Sequence, residues 1–239
     1  MGTCCDWQSS IMSAFLFAPN VPGLDLLQLA TDWRAGFFDE IHARFSRGEG
    51  PEDIDVTHRR VLDRLLEANG VNLQTWDNSL RKDLVAQWHV QRAWPDVIPA
   101  LNRLRRHYFV VVLANGTTRL QLDILKSSGI PFHSAFSSQL LGHSKPDPAI
   151  YLKALELMQL KPENCAMVAA HAYDLRAAKK VGMRTIYICR TTEDLDENMQ
   201  LIEDEVDMFF DGRSGDIASG LSMLVLGPEG HAIIDELSR

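Results

Sequence analysis

Three clusters of charged or polar side chains stand where an apolar run gives way to a helical pattern. The first is Asn115-Gly116-Thr117-Thr118, directly after the run Tyr108–Ala114. Unpaired backbone amides at a helix start cradle anions. An ordinary threonine-capped helix accounts for the same residues. The second is Lys145-Pro146-Asp147-Pro148, with Tyr151 just beyond. Two prolines stiffen the turn and aim the lysine, where most lysines are merely solvated. The third is Ala169-Ala170-His171-Ala172-Tyr173-Asp174. A helix dipole favours a carboxylate at its start, so Asp174 reads as a functional acid or as a cap. His171 reads as an acid–base group or as a structural hydrogen-bonder. Lys145, His171 and Asp174 together make a charged pocket able to move protons, with His171 as acid or base and Lys145 as oxyanion partner.

The elements that must position these clusters follow from periodicity. Thr31–Phe45, Val56–Ala68 and Asn78–Val90 carry apolar residues at helical spacing, broken by Gly48–Pro51 and by Asn69-Gly70. Residues from about Ser10 to Trp94 therefore read as almost wholly helical. After Pro95 the pattern changes. Tyr108–Ala114, Cys165–Ala170 and Arg184–Cys189 are continuous apolar runs, expected of strands covered on both faces. Helices are expected at Val97–Arg106, from Thr117 to about Ser128, at Ala149–Gln159 and at Asp174–Val181. Such alternation predicts an α/β fold around a parallel sheet, with ligands at the strand ends where helices begin. Pro228–Arg239 reads as a polar-ended tail or short helix. The expected division is a core of residues 1–10 and 96–239 and a helical cap of residues 11–95.

Composition narrows the function classes. The 239 residues carry a net charge of −8, which argues against nucleic acid or an anionic membrane surface as the main partner. There is no apolar stretch of membrane-spanning length and no signal-peptide pattern, so a cytoplasmic protein is expected. Cys4, Cys5, Cys165 and Cys189 lack zinc-type spacing, and no metal or cofactor is expected. The adjacent Cys4 and Cys5 read more readily as small buried thiols than as a redox pair. A small polar or anionic molecule is the expected partner, with a homodimer as a further expectation.

The ordered set Gly2-Thr3, Leu113-Ala114-Asn115-Gly116-Thr117, Lys145-Pro146-Asp147-Pro148 with Tyr151, and Ala169-Ala170-His171 with Asp174 resembles the haloacid dehalogenase superfamily. The 2-haloacid dehalogenase branch is the most similar part of it. Thr31-Asp32-Trp33-Arg34, Trp88-His89 and Trp94-Pro95-Asp96 extend the likeness over nearly the whole chain. The resemblance implies a Rossmann-like core with a helical cap. It implies displacement of halide by an aspartate, through an ester that water hydrolyses. It matches Thr3 to the threonine of D-x-x-G-T and Arg34 to the cap arginine that meets halide and substrate. Asn115, with Gly116 and Thr117, matches the carboxylate-binding turn. Lys145 matches the lysine that holds the nucleophile, Tyr151 its companion tyrosine, and Asp174 the final acid.

The departures bear on chemistry. The spacing of D-x-x-G-T places the aspartate two positions upstream of Met1, so the first strand and its nucleophile are expected to be missing. A central gap of about 10 Å, two strand spacings, would follow. Direct pairing of the flanking strands or a partner chain would have to close it. Ala114 and Ala169-Ala170-His171 stand where the branch usually has serine and S-S-N, removing hydroxyl donors worth roughly 1 kcal/mol each. Three readings follow from this pattern. One is a repurposed scaffold performing non-hydrolytic acid–base chemistry such as isomerisation, cyclisation or elimination. The second is a 2-haloacid dehalogenase-type hydrolase with a truncated N-terminus. The third is a non-catalytic binding subunit.

Overall fold

The computed structural model describes residues 1–49 and 52–226. Two compact units divide the chain: Asp6–Arg92, and Met1–Cys5 together with the chain from Ala93 onward.

The first unit is helical, with α1 Trp7–Phe15, α2 Leu26–Ser46, α3 Ile54–Ala68 and α4 Asn78–Ala86, then a 3-10 turn at Gln87–His89. Aspartates set three of the starts. Asp6, Asp53 and Asp77 accept from Ser9, Asp55 and Leu80 amides, satisfying donors that a helix start leaves unpaired. The second helix starts before the expected Thr31. The last ends early because its final residues tighten into the 3-10 turn.

Aromatic packing makes the core of this unit. Trp7, Trp33, Trp76 and Trp88 are all essentially buried. His58 lies among them, 2% exposed. Its ring stacks on Phe37 (3.9 Å, 3°) and on Trp88 (4.4 Å, 12°). Trp33 meets it edge-on and donates its indole N–H to the His58 carbonyl at 2.8 Å. The Nδ1 atom of His58 has no hydrogen-bond partner. Burial, reinforced by the charges of Arg34 and then His89, holds the His58 imidazole well below its ordinary pKa. The unfolded chain therefore takes up a proton near pH 6.5 that the folded chain refuses. Stability from this site is complete above that pH and declines below it, by at most about 1.4 kcal/mol per pH unit. His58→Phe should flatten this dependence between pH 5 and 7 in thermal melts. An unchanged slope would remove His58 as its source.

The second unit alternates strand and helix. It contains α5 Val97–Leu104, β1 Val111–Ala114, α6 Thr118–Ser128, β2 Ser134–Ser137, α7 Ser138–Leu141 and α8 Pro148–Met158. It continues with β3 Ala166–Ala169, α9 Ala172–Lys180, β4 Arg184–Cys189, α10 Met199–Glu205, β5 Met208–Asp211 and α11 Leu221–Leu226. Every strand pair is parallel, as helical crossovers require. Val111 opposes Ser134 in the first pair, and Ala166 opposes Arg184 in the second.

One feature departs from the sequence reading, and a second bears on the expected central gap. The run Tyr108–Ala114 becomes strand only at Val111. Phe109 is 80% exposed, and the Val110 amide donates to the His133 ring instead of a strand carbonyl. Pairing also stops between β1 and β3. The described residues form a two-stranded sheet, β1–β2, and a three-stranded sheet, β3–β4–β5. The flanking strands thus do not pair directly. All four residues of β1 are only half-buried, although the run is built for full cover. Leu113 and Phe136 nevertheless pack on the cluster formed by Met167, Ala169, Tyr187 and Ile150.

The segment Met1–Cys5 is fixed into this unit. The Trp94 indole donates to the Gly2 carbonyl at 2.9 Å, and Cys5 bridges Ala93. Burial pushes the Cys4 thiol up to about 11, so it is a poor nucleophile at neutral pH. No helix among the described residues is long and apolar enough to cross a membrane. Pro228–Arg239 lies outside the described residues.

Candidate active site

The K-P-D-P turn is built as its residues dictate. Asp147 caps α8 by accepting from the Ala149 amide, and Pro148 occupies the first helical position, where no N–H is needed. The Lys145–Pro146 bond is cis. Across the turn stands Asn115, just past the end of β1. Its Oδ1 accepts from the Lys145 amide at 2.8 Å, and its Nδ2 donates to the Lys145 carbonyl at 3.1 Å. Asn115 therefore clamps the lysine main chain from both sides.

The lysine side chain is held as firmly as its backbone. Lys145 Nζ donates to Asp174 Oδ2 at 2.6 Å, and the two side chains are 9% and 5% exposed. The Tyr151 hydroxyl donates to the other oxygen, Asp174 Oδ1, at 2.6 Å. Burial, then the adjacent Asp174 charge, pushes the Tyr151 phenol above its ordinary range, so it stays protonated and donating. Asp174 is the third residue of α9, inside the first turn. Asn115, Lys145, Tyr151 and Asp174 are thus brought together at the ends of β1 and β3, as expected for a parallel sheet.

The Asn115-Gly116-Thr117-Thr118 turn adopts the capped-helix arrangement. The Thr117 hydroxyl accepts from the Leu120 amide. The Gly116 amide donates to Ser138 Oγ at 2.9 Å, and the Thr118 amide to Gln139 Oε1 at 3.0 Å. Gly116 has φ of 120°, open to glycine and strained for other residues. Two of the amides expected to cradle an anion are therefore satisfied within the protein.

Thr3 belongs to the same region. Its hydroxyl accepts from the Ala170 amide at 3.0 Å, and its carbonyl accepts from Arg190 Nε at 3.1 Å. His171 lies one residue further on, with Nε2 3.1 Å from Glu193 and Nδ1 3.2 Å from Asp194. Gly2 packs on Glu193 so closely that a Cβ there would overlap the carboxylate.

Arg34 belongs to the helical unit. Its guanidinium lies 4.7 Å from the centre of the Trp7 ring and 5.0 Å from that of Phe38, a cation between aromatic faces. The same unit carries a surface depression of about 800 Å³ lined by Arg59, Arg60, Asp63 and Lys82. Within it Arg59 and Asp63 form an ion pair at 2.9 Å.

Sequence reading missed Glu193, Asp194 and the buried Arg190–Asp96 pair. All three residues after β4 follow a buried apolar strand, a position that deserved the scrutiny given to β1 and β3.

Comparison with known proteins adds to this geometry. The pattern described as "Hydrolase: haloacid dehalogenase-like hydrolase" matches residues 28–182. The chain is similar to (S)-2-haloacid dehalogenase 1 of Pseudomonas sp. (strain CBS-3), at 25% identity over 79% of this chain and 81% of that one. It is 32% identical to (S)-2-haloacid dehalogenase 4A of Burkholderia cepacia, a match that spans 46% of this chain and 49% of the enzyme, about half its length. Among solved structures, the L-2-haloacid dehalogenase PA0810 is 32% identical, with a TM-score of 0.75 over 87% of this chain and 90% of that one.

Proposed function

We propose, for a chain that belongs to the haloacid dehalogenase-like hydrolase family, hydrolytic dehalogenation of short 2-halo acids. In this reading a carboxylate oxygen attacks C2 of the substrate. The halide leaves with the carbon–halogen electron pair, and an ester forms. Water then adds to the ester carbonyl, releasing the 2-hydroxy acid and a proton and regenerating the carboxylate.

One observation supports the reading most. Lys145 is locked by Asn115 and Asp174 at the strand ends, and β1 and β3 are each hydrogen-bonded along one edge only among the described residues. A parallel strand between them would end beside Lys145. An aspartate there, three residues ahead of Gly2, would be held by that ammonium. Lys145 orients the attacking carboxylate, Asp174 and Tyr151 orient Lys145, and Asn115 fixes its main chain. The names of the relatives favour the S enantiomer.

A hydrolytic reaction is preferred to a repurposed acid–base one. The relatives are hydrolases, and both His171 ring nitrogens already face carboxylates. Substrate choice is tested by offering 2-chloropropionate, as separate enantiomers, to the chain extended ahead of Met1 by an aspartate-ended strand. Consumption of the S enantiomer with formation of lactate is expected. Equal turnover of both enantiomers would refute the stereochemical part.

A further inference from the structure

We propose that His171 is a positioning residue, held as an imidazolium between Glu193 and Asp194, and that this trio sets the start of α9 and with it the Asp174 carboxylate. The inference deepens the haloacid reading and rests on it for its link to catalysis.

The geometry of the ring carries the first half. Nε2 lies 3.1 Å from Glu193 Oε2, and Nδ1 lies 3.2 Å from Asp194 Oδ1. Ionised carboxylates only accept, so a ring facing one at each nitrogen donates from both, and only the imidazolium can. Charge balance agrees. The Glu193 side chain is 1% exposed and that of Asp194 12%. Two ionised groups so far from water need a cation beside them. Tyr173, whose ring lies 5.7 Å from that of His171, and Tyr187, whose hydroxyl donates to Asp194 at 3.2 Å, also face this trio.

The second half follows from the helix start. His171 is the N-cap of α9, and its side chain makes no capping bond. The missing cap comes from elsewhere in the fold: Asp194 Oδ2 accepts from the Ala172 amide at 2.6 Å. Asp194 thus bonds the ring with one oxygen and the first turn of α9 with the other. It does so with φ of 51°, a left-handed conformation that neighbouring contacts must sustain. Asp174 lies in that first turn and holds Lys145. Glu193 reaches the opposite side of the ring and packs against Gly2. The trio therefore ties the Gly2-Thr3 segment, the end of β3 and the lysine-bearing ion pair into one unit. In this role His171 passes no proton to substrate.

Histidine-selective 15N spectroscopy on the full chain at pH 7 tests the first half. His171→Gln identifies the signal among the eight histidines. Two protonated ring nitrogens are expected in the wild-type protein, and loss of that signature in Glu193→Gln and in Asp194→Asn. A wild-type ring with one bare nitrogen overturns the assignment, and that spectrum needs no variant to fold. The second half is read by acetylation of Lys145 followed by mass spectrometry. In Asp194→Asn its labelling should rise about threefold or more relative to the exposed Lys161, as a loosened helix start permits. An unchanged ratio in a folded variant contradicts the link to Asp174. Neither readout involves halide release, so the haloacid reading and this one can fail separately.

Discussion

Arg190→Met should destabilise the fold by about 3–5 kcal/mol, the usual consequence of removing one partner from a buried ion pair. The Arg190 and Asp96 side chains are both 0% exposed. They meet in a two-pronged contact, Nη1 to Oδ1 and Nη2 to Oδ2, each at 2.9 Å. Arg190 also donates Nε to the Thr3 carbonyl and lies 5.1 Å from the centre of the Trp94 ring. Asp96 Oδ2 additionally accepts from the Leu221 amide at 2.7 Å. Removal of the guanidinium leaves a buried carboxylate with one amide for company. The double variant Arg190→Met, Asp96→Leu should lose less than the two single losses combined, because no charge is then stranded. Urea unfolding of the four proteins measures this. A loss below about 1 kcal/mol for Arg190→Met would mean that water reaches Asp96, contrary to the packing described.

The second large effect belongs to Lys145. In a chain extended by an aspartate-ended strand, Lys145→Met should lower halide release by about 100- to 1000-fold, the range seen when a preorganised charge is removed from a reacting centre. The reason lies in the shape of the cluster. Asn115 and Asp174 leave Lys145 little freedom, so the ammonium contributes without reorganising. Asp174→Asn should impair the same step, since it frees the lysine and leaves Tyr151 with a weaker acceptor. The double variant should be little worse than either single one, as for groups that act as a unit. Multiplying losses in the double variant would show that Lys145 and Asp174 act independently. Thermal melts of each variant separate lost chemistry from lost structure.

Much of this arrangement was legible in the residues themselves. The K-P-D-P turn pointed to an aimed lysine because proline chemistry is local. The run Arg184–Cys189 marked its strand because both faces are covered, and residue by residue it is β4. What escaped was less local. Ser134–Ser137 is polar and short, and it becomes strand only because β1 lies beside it. Met208–Asp211 is an apolar run of only three residues ahead of an aspartate, too short to stand out, and it pairs with β4. The Asn115 side chain pairs with the Lys145 main chain, a partner 30 positions away. Glu193 and Asp194 resembled ordinary loop acids. Their burial against His171 depends on the β3–β4 crossover and has no signature in spacing.

The most direct measurement is inorganic halide released from 2-chloropropionate by two versions of the protein. One is the 239-residue chain; the other carries an additional N-terminal strand whose aspartate precedes Gly2 by three residues. The account predicts chloride in step with lactate from the extended version, and none above the uncatalysed rate from the other. Equal release by both, or silence from a well-folded extended chain, would contradict the placement of the reacting carboxylate between β1 and β3.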